Sequence, residues 1–243
     1  VRIEGAAGMY NADNLPGAIS NVFFQPNLLV NRRGVRIMNE EDMQNTTFLN
    51  NAVNRQKDKK GFIIIDESIL RYYRKNGVDV VSLVRIDPSV GKEFDEGMKI
   101  IADENRDGFA VADTIEELAE KMGIDPEQLE ETVDDYNGYC DAVDEEFFKD
   151  RRFMRPIVKA PFYAATICVS GYGTVGGIAI DENCRVLDDD YAPIPGLYSA
   201  GADSNNLYDD SYMFLLPGNS MGYCVNSGRI AGMEAVAYCE DEE

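Results

Sequence analysis

The order of glycines in the last third of this chain restricts its fold more than any other feature. Gly176-Gly177-Ile178-Ala179-Ile180-Asp181 leads through Pro195-Gly196-Leu197-Tyr198-Ser199-Ala200-Gly201 to Gly228-Arg229-Ile230-Ala231-Gly232. In order, these read as a strand, a second strand ending in a glycine turn, and a glycine-opened helix. Such a succession builds a site where backbone amides, rather than side chains, hold a large polar ligand. The chain has 243 residues and no histidine, and no nucleophile or metal-ligand cluster stands out. Chemistry here therefore points to a bound cofactor.

The totals bound the rest. Hydrophobic residues make up 44% of the chain, with 13 Tyr and 11 Phe, enough for a proper core. A formal net charge of −21 repels phosphate backbones and anionic lipid, so nucleic acid is not an expected partner; solubility is the other reading of that charge. Cys140, Cys168, Cys184, Cys224 and Cys239 are scattered without a CxxC pair. They read as reduced thiols, mostly small core residues, and no metal site is expected. No apolar run approaches the ~20 residues of a membrane-spanning helix, so membrane insertion is not expected. Val1-Arg2-Ile3-Glu4 resembles no signal peptide and lacks an initiator methionine, which suggests a start inside a longer protein.

Asn27 to Val30 opens a strand, Asn31-Arg32-Arg33-Gly34 is a turn, and Val35-Arg36-Ile37-Met38 is expected to return as a hairpin arm. Glu41 to Asn54 suits one helix, and Gly61-Phe62-Ile63-Ile64-Ile65-Asp66 a buried strand. Thr114 and Glu117 form a capping box ahead of a helix that Gly123 closes. Asp125-Pro126-Glu127-Gln128 opens the next helix, whose Leu129, Val133, Tyr136 and Cys140 share one face. The expected fold class is α+β: a mixed α+β unit over residues ~30–160, flanked by pieces of an α/β sheet.

Within the glycine-rich third, Ile194-Pro195-Gly196 reads as a turn and Leu197-Tyr198-Ser199-Ala200 as a short buried strand ended by Gly201. Asp203 is placed to accept from ligand hydroxyls. A helix opening near Pro217-Gly218-Asn219-Ser220-Met221-Gly222 presents free amides and a positive dipole end. The same glycines can equally serve only tight turns and close helix–sheet contacts.

Several of these segments resemble the fumarate reductase/succinate dehydrogenase-like flavoproteins. The resemblance is carried by Gly-Gly-Ile-x-Ile-Asp, by Val186-Leu187-Asp188, by Pro193 through Gly201 and by Gly228 through Gly232. Asn31 to Glu40 looks like that family's N-x-x-G-x-R-F-x-N-E segment, and Ala112 to Ala119 with Thr132 to Asn137 like its capping-domain helices. The resemblance implies FAD as cofactor. It also implies a fragment lacking the G-x-G-x-x-G half: residues 1–30 as an FAD-domain remnant, 31–160 as the inserted capping domain, and 161–243 as the distal part of the FAD domain. Such a fragment alone is expected to hold FAD weakly or not at all. By position, Ala200 and Gly201 approach FAD and Asp203 faces its ribityl chain. Gly218 lies at the site, while Asn219, Ser220 and Met221 turn amides toward the pyrimidine edge of the flavin, favouring negative charge on the reduced ring.

The departures are informative. Where the family carries a dicarboxylate-clamping histidine, this chain has Tyr172, and Leu215 replaces the clamping arginine. Losing both removes the charge-assisted bonds a dicarboxylate needs in a dry pocket, which argues against fumarate and succinate. Arg71 lies within a residue of the family's proton-donating arginine, though beside Arg74 and Lys75 it reads first as a solvent-facing helix charge. Glu40 matches the glutamate that relays protons to that arginine, but Gln44 and Asn45 fill the region of the relay's next arginine. Gly173-Thr174-Val175-Gly176-Gly177 and Pro217-Gly218 are closer to the ketosteroid dehydrogenase branch. There a tyrosine acts where Phe214 stands, leaving Tyr212 or Tyr172 as substitutes, each also readable as a core or rim aromatic. The resemblance thus implies an FAD-dependent oxidoreductase acting on an activated C=C bond, with a small-molecule substrate and a separate electron donor or acceptor. A degenerate, non-catalytic binding module of the same fold is the alternative.

Overall fold

The computed structural model describes residues 2–81, 90–205, 208 and 218–241. Helices and strands are mixed along the chain. Its first part carries β1 (Arg2–Met9), α1 (Gly17–Phe23), β2 (Leu28–Val30), α2 (Thr46–Asn54), β3 (Lys60–Asp66), α3 (Glu67–Asn76) and α4 (Lys92–Asp103). Then come β4 (Phe109–Ala112), α5 (Ile115–Met122), α6 (Pro126–Asp141), β5 (Phe162–Gly177), β6 (Arg185–Leu187), β7 (Pro193–Tyr198), β8 (Ser204–Asn205) and α7 (Asn219–Asp241). Two compact units result: Ala6–Ser170, and Val1–Gly5 with Gly171–Glu243. The sequence places its boundaries at 30/31 and 160/161. Residues 6–30 instead fall in the larger unit, because Ile19, Val22, Phe23 and Leu28 enter the same core as β3.

In the larger unit β3 is central. It pairs antiparallel with β2 (Leu28 opposite Ile64) and with β5 (Ala164 opposite Ile64), while β4 takes the other edge of β5 (Ala110 opposite Ala164). Phe62, Ile63, Ile64 and Ile65 are at most 2% exposed. A strand covered on both faces has no polar side to show, which explains its unbroken apolar run. Asp66 then ends β3 and caps α3: its carboxylate accepts from Ile69 N–H at 2.8 Å, and also from the amides of Val158 (2.8 Å) and Lys159 (2.7 Å).

The caps around α5 and α6 follow the sequence. Thr114 Oγ1 accepts from Glu117 N–H at 3.0 Å, and the Glu117 carboxylate accepts from Asp113 N–H at 3.2 Å. Asp125 accepts from Gln128 N–H at 3.2 Å, with Pro126 in the first turn. Each such cap contributes about 1 kcal/mol. Leu129, Val133 and Tyr136 are buried on one face of α6.

Three local expectations change. Val35–Met38 does not return as a hairpin arm; only Val30 and Arg36 form a bridge, and the Arg36 side chain turns inward to buried carboxylates. The helix expected over 41–54 is broken: a 3₁₀ turn covers Glu40–Gln44, and Asn45 Oδ1 restarts the chain as α2 by accepting from Thr47 and Phe48 N–H at 3.2 Å. In the smaller unit, Ile194-Pro195-Gly196 is not a turn but part of β7, which pairs with β6 (Arg185 opposite Tyr198). Pairing on one side only tolerates prolines that cannot donate. The expected buried strand over 197–200 ends at Tyr198 and is open to solvent, with Leu197 47% exposed.

The cysteines, expected as mostly core residues, are not uniformly interior: Cys184 is buried whereas Cys224 and Cys239 are exposed on α7. Among the described residues no helix is long and apolar enough to cross a membrane.

Candidate cofactor site

Within the smaller unit the chain leaves β7 at Ser199, passes Ala200 and tightens into a 3₁₀ turn at Gly201–Asp203. Gly201 has φ +64°, a left-handed conformation costly for a side chain. Its amide donates to Ser227 Oγ at 2.9 Å, and Ser227 donates in turn to the Tyr223 carbonyl at 2.7 Å. Ser204 Oγ reaches the Gly201 carbonyl at 3.2 Å, while Tyr223 OH donates to the Ser204 carbonyl at 2.9 Å. These bonds fasten the turn to one face of α7. Ser204, Tyr223 and Ser227 were not singled out by motif; the i, i+4 spacing of Tyr223 and Ser227 is the signal that places both on one helix face.

The start of α7 is shaped for acceptors. Gly218 has φ +80° with open space where a side chain would stand. The first helical bond runs from Gly222 N–H to the Gly218 carbonyl at 2.8 Å, so the preceding amides of Asn219, Ser220 and Met221 lie ahead of the intrahelical ladder. Asn219 and Ser220 are half-buried, and Met221 is 73% exposed. Asp203 has its side chain in solvent, and its carbonyl accepts from Ile178 N–H at 2.8 Å. Ala200, Gly201, Asp203, Gly218, Asn219, Ser220 and Met221 all belong to the smaller unit, with the Gly201 turn pinned to Ser227 of α7.

The other sequence-selected residues fall elsewhere. Tyr172 lies in β5, and Tyr212, with Phe214 and Leu215, lies outside the described residues. Arg71 lies in the larger unit on α3. Its side chain is 60% exposed and pairs with Glu67 one turn earlier at 2.8 Å.

Glu40 sits in a buried ionic cluster that motif reasoning did not reveal. Its carboxylate accepts from Arg36 Nε at 3.0 Å and Nη2 at 2.8 Å, and lies 3.4 Å from Lys149 Nζ. Arg36 also grips Asp144 through Nη1 at 2.7 Å and Nη2 at 2.8 Å, and Lys149 donates to the Pro26 carbonyl (2.7 Å) and Tyr136 OH (2.8 Å). The side chains of all four charged residues are at most 1% exposed. Burial opposes charge on Arg36, but bonds to Asp144 and Glu40 outweigh it and raise its pKa. Burial also pushes the Asp144 carboxyl up; the Arg36 guanidinium and the Lys149 and Phe147 amides prevail and bring it down to about 2. Lys149 is shifted down by burial against the opposing pull of Glu40. With both Glu40 oxygens engaged by Arg36, the geometry suits charge balance between distant segments better than proton movement.

Comparison with known proteins gives the family. Residues 23–221 match the FAD binding domain family model. The chain is 32% identical over 221 residues to the vinyl phenol reductase of Lactiplantibacillus plantarum, covering 90% of this chain and 44% of that protein. It is 35% identical over 142 residues to the 3-oxosteroid 1-dehydrogenase of Mycolicibacterium smegmatis, covering 52% of this chain and 25% of that protein. The open conformation of a flavocytochrome c3 fumarate reductase shares the fold, with a TM-score of 0.67 at 23% identity over 97% of this chain and 36% of that one. The chain thus spans less than half the length of these relatives. It belongs to the FAD binding domain family, its relatives include fumarate reductase-like flavoproteins, and its cofactor is FAD.

Proposed function

We propose that the whole protein reduces or dehydrogenates an activated C=C bond of an organic substrate other than fumarate or succinate. When bound, FAD supplies the hydride transfer. The observation that carries this is that one unit holds both the left-handed Gly201 turn, tied to Ser227 of α7, and the open start of α7 at Gly218. That donor set, backbone amides with no side chain intruding at Gly218, fits a carbonyl-rich ring edge. Ala200 and Gly201 would lie against the cofactor, Asp203 would accept from its hydroxyls, and Asn219, Ser220 and Met221 would donate amides. We assign the smaller unit to the distal FAD domain and most of the larger one to the capping domain; the rest of the FAD domain would cover the apolar residues exposed on α7. Without it, the fragment is expected to be inactive.

Tyr172 and Leu215 stand where dicarboxylate clamps are lost. The mostly apolar run Tyr208 to Leu216 suits an uncharged or aromatic acceptor, as does likeness to a reductase named for vinyl phenol. Tyr172 or Tyr212 is the proposed proton donor. Arg71, exposed and paired with Glu67, is the weaker candidate and lends some support to the non-catalytic alternative. Purified intact, the protein is expected to be yellow, to bleach with dithionite, and to turn over vinyl phenols or enones in preference to fumarate. A colourless protein that cannot be reconstituted with FAD would overturn the reading. A yellow protein inert toward every enone, enoate and vinyl phenol would establish the non-catalytic alternative.

A further inference from the structure

A cavity of about 790 Å³ opens in the larger unit, lined by Asn31, Arg32, Arg33, Gln56, Lys57 and Asp58, whose aliphatic stems form much of its wall. The flavin reading makes no use of it. Its charge runs against the chain as a whole: 44 acidic residues face 23 basic ones overall, yet here three cations share a cavity with one carboxylate. Arg55, Lys59 and Lys60 adjoin it in sequence.

The walls are held in place. Arg32 Nε pairs with Asp58 at 2.6 Å, Arg32 Nη1 donates to the Gly123 carbonyl at 3.0 Å, and the guanidinium lies 5.3 Å from the Phe62 ring. Asn31 Nδ2 donates to Gln56 Oε1 at 3.0 Å, and Gln56 Nε2 to the Ala52 carbonyl at 2.9 Å. Asn31 Oδ1 accepts from Arg33 N–H at 2.9 Å, fixing the turn that carries that arginine. The 31–34 turn and the 56–58 segment are thus joined side chain to side chain. Arg33 and Lys57 remain: both are exposed, and neither has an ion pair with the described residues. In so acidic a chain, two unpaired cations lining one braced cavity stand out.

We propose that this cavity binds a phosphate-bearing small molecule. A guanidinium offers a planar fork and an ammonium a compact charge, and together they suit an oxyanion with several acceptor oxygens. The volume lies within the roughly 300–1,000 Å³ of small-molecule sites. Arg33 and Lys57 bind the anion, while Arg32, neutralised by Asp58, shapes the wall.

The test is calorimetric titration of the full chain with inorganic pyrophosphate and, separately, with ADP, at low and high sodium chloride. Pyrophosphate is expected to bind, to weaken with added salt, and to lose at least tenfold in affinity in the Arg33→Gln/Lys57→Gln double variant. Tighter binding of ADP would identify a nucleotide; equal binding would identify the phosphate group alone as the ligand. Asp58→Asn, which removes the one carboxylate in the cavity, is expected to tighten both. Neither substituted cation has a folded-state ion pair to lose, and an unchanged thermal unfolding curve verifies that the double variant folds. No binding of either probe at millimolar concentration, or binding undiminished in the double variant, overturns the proposal. ADP bound at the flavin site would survive the double substitution and so count against it.

Discussion

The two units solve the problem of burial differently. In the larger one, apolar side chains from α1, β2, β3, α5, α6 and β5 meet in a continuous core running from Ala7 to Ile167. In the smaller one, Ile178 (46% exposed), Met221 (73%), Val225 (67%), Met233 (61%) and Val236 (59%) face away from the described residues. Both units carry recognisable elements, yet the first builds one extended core, while the second buries only a few apolar residues such as Val175, Cys184 and Val186. A helix or sheet gains stability by burying its apolar face against a second surface, not by its pattern alone. The 23-residue α7 is long and regular, and it touches the Gly201 turn through Ser227 and Tyr223 along only one side.

The largest expected effect lies in the larger unit. Arg36→Met would leave Glu40 and Asp144 buried beside Lys149 alone, and should cost about 3–5 kcal/mol in chemical denaturation, as breaking a buried ion pair does. A loss below ~1 kcal/mol would show that the cluster does not join the 142–150 segment to the core.

Acidification is a milder test of the same cluster. The Asp144 carboxyl lies at about 2, below its ordinary 3.8, so folding favours its ionised form. Its contribution is complete above the ordinary carboxylate range and is lost as pH falls from about 4 toward 2, on the order of 1–2 kcal/mol. Thermal unfolding followed across that window should show the loss, and Asp144→Asn should flatten it.

The smallest effect should come from the smaller unit. Val225→Ala removes a side chain that is 67% exposed and should change the stability of this chain by no more than about 0.5 kcal/mol. The same substitution in the intact flavoprotein should cost more if the remainder of the FAD domain covers α7. Equal, negligible losses in both would remove the distinction between the units at this position.

Much of the larger unit was legible because its signals are local. Thr114, Asp125 and Pro126 act on amides within three residues, and Phe62 to Ile65 declare a doubly covered strand by composition alone. The hairpin expected at Val35–Met38 failed for the opposite reason: Arg36 answers to Asp144, 108 residues away. At the candidate site, the left-handed glycine turn and the opened helix were readable, since both follow from backbone requirements. Ser204, Tyr223 and Ser227, which tie them together, were not.

The sequence by itself therefore determined the mixed α+β character, the capped helices, the central strand and the FAD-family segments, because each depends on neighbours in the chain. Only the tertiary structure decided that Glu40 is locked between Arg36 and Lys149, that β7 lies open, and that Arg33 and Lys57 share a cavity. Those outcomes depend on which distant groups meet and on whether water is excluded between them, and no spacing along a single chain records either.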